Sequence, residues 1–184
     1  MTLVNKTFDT LRLRRKSVFR YPMDPAPRTA VLAACFRQPR FRPNYPVRVF
    51  PRGWSEEVEV FAPAAIAAPR EQLLGLAAAV QPPKLTHAII ALESRGDPLL
   101  SIDERAWLWR AFRVPVFEQI VEPDGELLAF ECEAHDGLHI EIPGLSWDGY
   151  RMELSPCGCG RETPRLTTAA EPAGRLKSVA AYAR

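Results

Sequence analysis

The sequence has few thiol and imidazole side chains: its 184 residues include four cysteines and three histidines. No apolar run approaches the length of about 20 residues that a membrane-spanning helix needs, and the first residues lack the apolar core of a secretory signal peptide. No internal repeat is visible. These absences predict a protein without a membrane span, located in the cytoplasm, where thiols stay reduced.

The charge of the chain is unevenly distributed, although its composition of 47% apolar and 25% charged residues is typical of a soluble globular protein. Residues 1–53 carry a formal charge of +10, residues 54–153 carry −11 and residues 154–184 carry +3, which together give the net +2. The basic arm can therefore fold back on the acidic body, or it can bind an anionic partner.

The amino-terminal third predicts little regular structure. Residues 1–28 have no sustained hydrophobic period and predict an extended arm, while residues 29–37 predict a short helix after Pro27. Aromatic and basic residues then interleave from residue 37 to residue 52, a mixture that suits single-stranded nucleic acid. Four prolines in the same stretch favour instead a rigid connector that packs its rings on the body: Pro39, Pro43, Pro46 and Pro51.

From residue 54 onward, helical and strand periods alternate, which predicts an α/β fold: a small, mostly parallel sheet with covering helices. Strands are expected at residues 58–61, 86–92 and 114–120, and helices at residues 69–80 and 102–113. The second helix begins with a capping box formed by Ser101 and Glu104. We predict that its buried face consists of Ile102, Ala106, Trp109 and Phe112.

A metal-binding pattern is spread over two further predicted strands and a short turn after them. The strands are expected at residues 126–133 and 138–142. Its members, three cysteines and one histidine, are Cys132, His139, Cys157 and Cys159. Three thiolates and one imidazole are a donor set that structural zinc takes in tetrahedral form. We predict an antiparallel, zinc-bound β element added to the α/β sheet.

The local sequence around these residues supports a closed site. Gly137 allows the loop between Cys132 and His139 to turn back. Gly158 and Gly160 give the second turn the backbone freedom that lets Cys157 and Cys159 both face the ion. His135 is an alternative to His139, but it lies in the middle of the loop, where we expect it to be exposed. Four protein ligands leave no position for an activated water, so the predicted zinc is structural.

We therefore predict three parts of the chain. Residues 1–53 form a basic, proline-rich arm and connector, residues 54–165 form the α/β core with its zinc-binding element, and residues 166–184 form a tail.

Four blocks of the sequence, at residues 96–105, 112–117, 129–140 and 157–165, resemble successive blocks of the phenylacetate-coenzyme A ligase family of adenylate-forming enzymes. A further similarity begins upstream at residue 58. The resemblance implies a parallel α/β sheet and a zinc ion held by residues that match Cys132, His139, Cys157 and Cys159.

The sequence departs from that family where ATP would bind. It has no Ser/Thr/Gly-rich loop to wrap the phosphates, and residues 118–124 replace the Tyr-Gly-x-Thr-Glu signature. The segment with the ribose-binding aspartate and the carboxy-terminal domain with the catalytic lysine have no counterpart in the sequence. We therefore expect no adenylation by this chain alone, and no catalytic residue is assigned.

The favoured hypothesis is a zinc-stabilised, non-catalytic remnant of an adenylation domain that acts as a binding or accessory protein with a protein partner. An alternative is an enzyme or ligand-binding protein that reuses the acyl or nucleotide cleft. Strand ends would meet there, at Glu93, Arg95, Glu118 and Glu122. A second alternative, which we favour less, is nucleic-acid binding through the basic aromatic arm.

Overall fold

The computed structural model describes residues 16–38 and 46–168. The predictions for residues 1–15, for the middle of the connector at 39–45 and for the tail from residue 169 lie outside these ranges. Within them, the strands are β1 (Thr29–Val31), β2 (Val47–Val49), β3 (Ala65–Pro69), β4 (Ala88–Ser94), β5 (Val116–Val121), β6 (Leu127–Glu131), β7 (Leu138–Ile140), β8 (Tyr150–Glu153) and β9 (Arg165–Thr168). The helices are α1 (Glu56–Phe61), α2 (Arg70–Ala77) and α3 (Ile102–Phe112).

All strands belong to one nine-stranded sheet, in the order β2-β1-β3-β4-β5-β6-β7-β9-β8. The pairs from β2 to β5 are parallel, and those from β5 to β8 are antiparallel. The predicted α/β fold with a mostly parallel sheet and an added antiparallel element is therefore confirmed.

The helices cover one face of the parallel half. Strands β3, β4 and β5 follow one another in chain order, and right-handed crossovers then place α2 and α3 on the same side. Leu73 of α2 packs there with Leu108 and Phe112 of α3. The central strands are apolar and buried on both faces, as is usual in parallel sheets.

The opposite face is covered by the amino-terminal segment. Phe19 and Phe36 pack edge to face there, with ring centroids 5.4 Å apart. The Ser17 N–H donates to the Asp124 carbonyl at 2.9 Å, and Gln119 Nε2 donates to the Arg20 carbonyl at 3.0 Å. The described part of the basic arm therefore folds back on the body, which is one of the two outcomes expected from its charge.

Two local predictions are wrong. Residues 29–37, predicted as a helix, form β1 and a turn, because Thr29–Val31 pairs on both sides with neighbouring strands. Residues 58–61, predicted as a strand, belong to α1. Glutamates in the first turn of this helix interact favourably with the positive end of the helix dipole. Val58 is the one residue of the helix that is fully buried. Strands β1 and β2 thus come from the predicted arm and connector, where Phe50 is also buried, and β9 includes residues 166–168, predicted as tail.

The capping box of α3 is confirmed and Phe112 is buried as predicted, but the predicted buried face is wrong at Ile102 and Trp109. The Ser101 hydroxyl accepts from the Glu104 N–H at 3.3 Å, and the Glu104 carboxylate accepts from the Ser101 N–H at 2.9 Å. Ile102 and Trp109 are 88% and 49% exposed. The helix instead turns a line of Arg105, Leu108 and Phe112 toward the sheet, because Arg105 pairs with carboxylates of β5 and β6.

The antiparallel half has its own small apolar cluster, which includes Leu128, Leu138, Trp147 and Leu166. None of the helices in the described ranges is long and apolar enough to cross a membrane.

The Arg105 side chain provides the first test of the fold. It pairs with Glu118 and Glu131, which are both buried, and Arg105→Met would leave these carboxylates without that cation. We expect the variant to lose about 3 to 5 kcal/mol of unfolding free energy in urea denaturation. Arg110→Met, at an exposed position of the same helix, should change it by less than about 0.5 kcal/mol.

Adding Glu118→Gln to the Arg105 variant should restore part of the loss, because one buried charge is removed. An Arg105 variant as stable as the wild type would contradict this account of how α3 is fixed to the sheet.

Candidate metal centre and strand-end cleft

The four predicted metal ligands converge in the antiparallel half of the sheet. Cys132 directly follows β6, His139 lies on β7, and Cys157 and Cys159 lie in the turn between β8 and β9. Their ligand atoms all lie within 4.8 Å of one another, and three of the four residues are buried. His135 is not part of the group: its Nδ1 lies 3.0 Å from Glu131 Oε1 and its ring stacks on another side chain.

The distances fit a tetrahedral metal ion better than a disulfide. The Sγ atoms of Cys132 and Cys157 are 3.6 Å apart, and Cys159 Sγ lies 3.4 Å from His139 Nε2. Tetrahedral zinc, with its usual bond lengths, would separate two sulfurs by about 3.8 Å and a sulfur and a nitrogen by about 3.5 Å. A disulfide would need about 2.05 Å. The cluster can therefore hold a metal ion.

The electrostatics of the cluster also suit a cation. Burial raises the pKa of the Cys132 thiol to about 12, so its thiolate needs a positive partner. Burial, assisted by the charges of Arg161 and Arg165, lowers the pKa of His139 and keeps its imidazole neutral, the form that binds metals. Burial raises the pKa of the Cys159 thiol, but hydrogen bonds from the Arg161 backbone and the neighbouring thiols outweigh this effect. The pKa of Cys159 is therefore lowered.

Residues behind the ligands hold the cluster together. His139 Nδ1 lies 2.7 Å from Thr163 Oγ1, which orients Nε2 toward the sulfurs. Arg165 is 1% exposed, and its guanidinium donates to the Ser155 carbonyl and hydroxyl, both at 3.1 Å. The same group contacts Asp136 through its carbonyl and its carboxylate. Arg165 thus connects the loop before His139 to the segment before Cys157.

The role of Arg165 was not predicted. Its only signal in the sequence is its place as the last residue of the block at residues 157–165, and an arginine at that position is equally typical of an exposed strand end.

The predicted turn at Gly137 is confirmed. Its φ of 88° lies in the left-handed region, and a Cβ atom there would meet the Leu166 carbonyl oxygen at 2.6 Å. In the second turn, Gly160 has a φ of 84°, whereas Gly158 is not among the residues with positive φ. The glycine requirement therefore applies to Gly160 and not to Gly158.

The predicted strand-end cleft is brought together only in part. Glu93 and Glu122 line a cavity of about 530 Å³ at the carboxyl ends of β3, β4 and β5, and Arg95 Nε lies 3.7 Å from Glu122 Oε1. Glu118 lies in the middle of β5 and points toward α3, where it accepts from the Leu100 N–H at 2.6 Å. It lines a separate cavity of about 810 Å³ beside α3.

Glu93 has an unusual environment for a carboxylate. It is 5% exposed, and its Oε1 atom has no hydrogen-bond partner among the residues that the structure describes. Burial, with a further contribution from Glu118, raises the pKa of Glu93 to about 7. The neighbouring Arg70 favours the ionised form, but its own hydrogen bonds go to Glu104 and to a carbonyl group.

Comparison with known proteins supports the fold. No protein-family model and no curated protein matches the chain. A solved structure of 2-hydroxyisobutyryl-CoA ligase, in an open conformation with 2-HIB-AMP and CoA, is similar with a TM-score of 0.53 and 14% identity. The match covers 76% of this chain and 46% of that ligase, so this chain corresponds to less than half of it.

At that identity the likeness shows the fold alone: the chain folds like a part of that CoA ligase. The assignment to the phenylacetate-coenzyme A ligase family stays a prediction.

If the cysteine and histidine cluster binds a metal ion, removing one ligand should loosen the antiparallel half of the sheet selectively. Cys157→Ser replaces a thiolate by a hydroxyl, which is a much poorer ligand for a soft metal ion. We expect hydrogen exchange to show lost protection in residues 126–161, which are rich in turns, while residues 86–120 stay largely protected by their own core. Cys35→Ser, a half-buried cysteine outside the cluster, is the matched control and should leave both segments unchanged. Equal loss of protection in both segments would mean that the cluster organises the whole sheet.

Proposed function

We propose that the chain is a zinc-stabilised binding or accessory domain with the fold of a CoA ligase, and that it does not catalyse adenylation. The observation that carries this proposal is the convergence of three cysteines and one histidine within 4.8 Å. Three thiolates and one imidazole select zinc over magnesium or calcium, which prefer oxygen. Because four protein ligands complete a tetrahedron, no position remains for an activated water, and the ion is structural.

The non-catalytic part of the proposal rests on the residues at the strand ends. The segment at residues 118–124 replaces the Tyr-Gly-x-Thr-Glu signature, and its Gln119 and Ile120 are buried in the sheet. The strand-end cavity, which is the space of about 530 Å³ lined by Glu93 and Glu122, has more carboxylates than basic groups in its wall. Such a surface repels a triphosphate instead of attracting it.

A second candidate function, ligand binding at the strand ends, is favoured by Glu93. A buried carboxylate oxygen without a partner is costly for folding, and a ligand that donates a hydrogen bond would satisfy it.

Metal analysis of protein purified without added metal tests the first part. We expect one zinc per chain, and we expect a chelator to lower the thermal midpoint, because a metal that binds the native state stabilises it. Cys132→Ser should lose the metal and Cys35→Ser should keep it. Zinc near zero in the wild type, or iron in its place, would contradict the proposal.

Calorimetry with ATP and magnesium tests the second part. We expect no detectable binding at millimolar nucleotide, since the described strand-end cavity offers excess negative charge to the phosphates. Submillimolar binding that requires magnesium would contradict the non-catalytic role. Parallel zinc analysis of the same samples keeps the two parts of the proposal separate.

A further inference from the structure

The cavity of about 530 Å³ at the ends of β3, β4 and β5 is bordered by a buried carboxyl group that the fold leaves incompletely hydrogen-bonded. We refer to it as the strand-end cavity. Glu93 lies in its wall and is buried, and its Oε1 atom has no partner in the described ranges 16–38 and 46–168. Leaving a buried carboxylate without a hydrogen bond costs more than leaving a neutral group, so a donor bound in the cavity beside Glu93 would stabilise its ionised form.

The surrounding charges define the kind of donor. Arg70 pairs with Glu104, with Nε to Oε1 at 3.0 Å, and Arg95 pairs with Glu122. The remaining acidic residues of the cavity wall are Glu71, Glu93 and Asp97. Asp97 accepts the backbone N–H of Ser94 at 3.2 Å, which does not cancel its charge. The wall therefore has a negative excess and favours a cation over an anion.

A bare metal ion does not fit this arrangement. In the part of the chain that the structure describes, the side chains that converge closely enough to hold an ion are those of the cysteine and histidine cluster. The carboxylates of the strand-end cavity do not form such a group. Their charge is spread along the wall, which suits a larger organic cation.

The rest of the wall is apolar, with contributions from Ala33, Leu74, Leu92, Val121 and three prolines. Its volume is within the range of sites for small molecules. We propose that the strand-end cavity binds an organic ammonium ion with a short alkyl body, whose N–H group donates to the Glu93 carboxylate. Charge-assisted hydrogen bonds of this kind are about twice as strong as neutral ones, and the alkyl body lies against the apolar wall. This inference rests on the binding role proposed above and names its ligand class.

Calorimetric titration with butylammonium chloride at fixed ionic strength tests the proposal, with butanol and sodium butyrate as neutral and anionic probes of similar shape. We expect butylammonium to bind about tenfold or more tightly than either, the factor that one hydrogen bond to a charged group provides. Glu93→Gln should weaken butylammonium by about the same factor. Glu56→Gln removes the same charge from an exposed position on α1 that does not line the cavity, and should have little effect.

Equal binding of butanol or butyrate, or unchanged binding by the Glu93 variant, would overturn the proposal. An equal loss in the Glu56 variant would also overturn it, because general surface charge would then explain the binding. The thermal midpoint of Glu93→Gln above neutral pH should be at least that of the wild type, since the substitution removes a buried charge, so lost binding is not lost folding. Zinc content measured on the same samples separates failure of this site from failure of the metal centre.

Discussion

Strand β5 pairs in parallel with β4 on one side and antiparallel with β6 on the other, and its register determines where both sites lie. Alternate residues of β5 point to opposite faces: Glu118 meets Arg105 of α3, and Gln119 holds the amino-terminal segment. The turn after β5 returns the chain along β6, which ends at Glu131, directly before Cys132. A slip of one residue would bury the wrong set of side chains and would also turn the metal ligands away from one another.

The two halves of the sheet are stabilised by different means. The parallel half has large apolar clusters on both faces, whereas the antiparallel half has short strands, a small cluster and many turns. Arg165 compensates in part, because its buried guanidinium joins Asp136 to Ser155. A metal ion at the adjacent cysteines would add the strongest bonds in this region, in the place where the apolar core is smallest.

Much of the fold and the convergence of the three cysteines with His139 could be predicted, because both leave local patterns. The apolar runs of β3 and β4, the capping box at Ser101 and the spacing of the cysteines are all visible in short windows of sequence. What could not be predicted depends on distant partners. Thr29–Val31 is a strand because it pairs with the strands beside it. The orientation of α3 is set by the buried carboxylates that pair with Arg105. The structural role of Arg165 is recognisable only once the two segments that it connects are seen in the fold.

The loop between Cys132 and His139 has two surroundings. Its ends carry two of the clustered ligands, while His135, Asp136 and Gly137 border the cavity of about 810 Å³ beside α3. Leu138 and His139 are neighbours on β7, so one points into that cavity and the other to the cluster. A metal ion bound by the cluster would fix both ends of the loop and would remove conformational entropy from the rim of the cavity. A molecule entering the cavity would then meet a preorganised rim and would not have to order the loop itself.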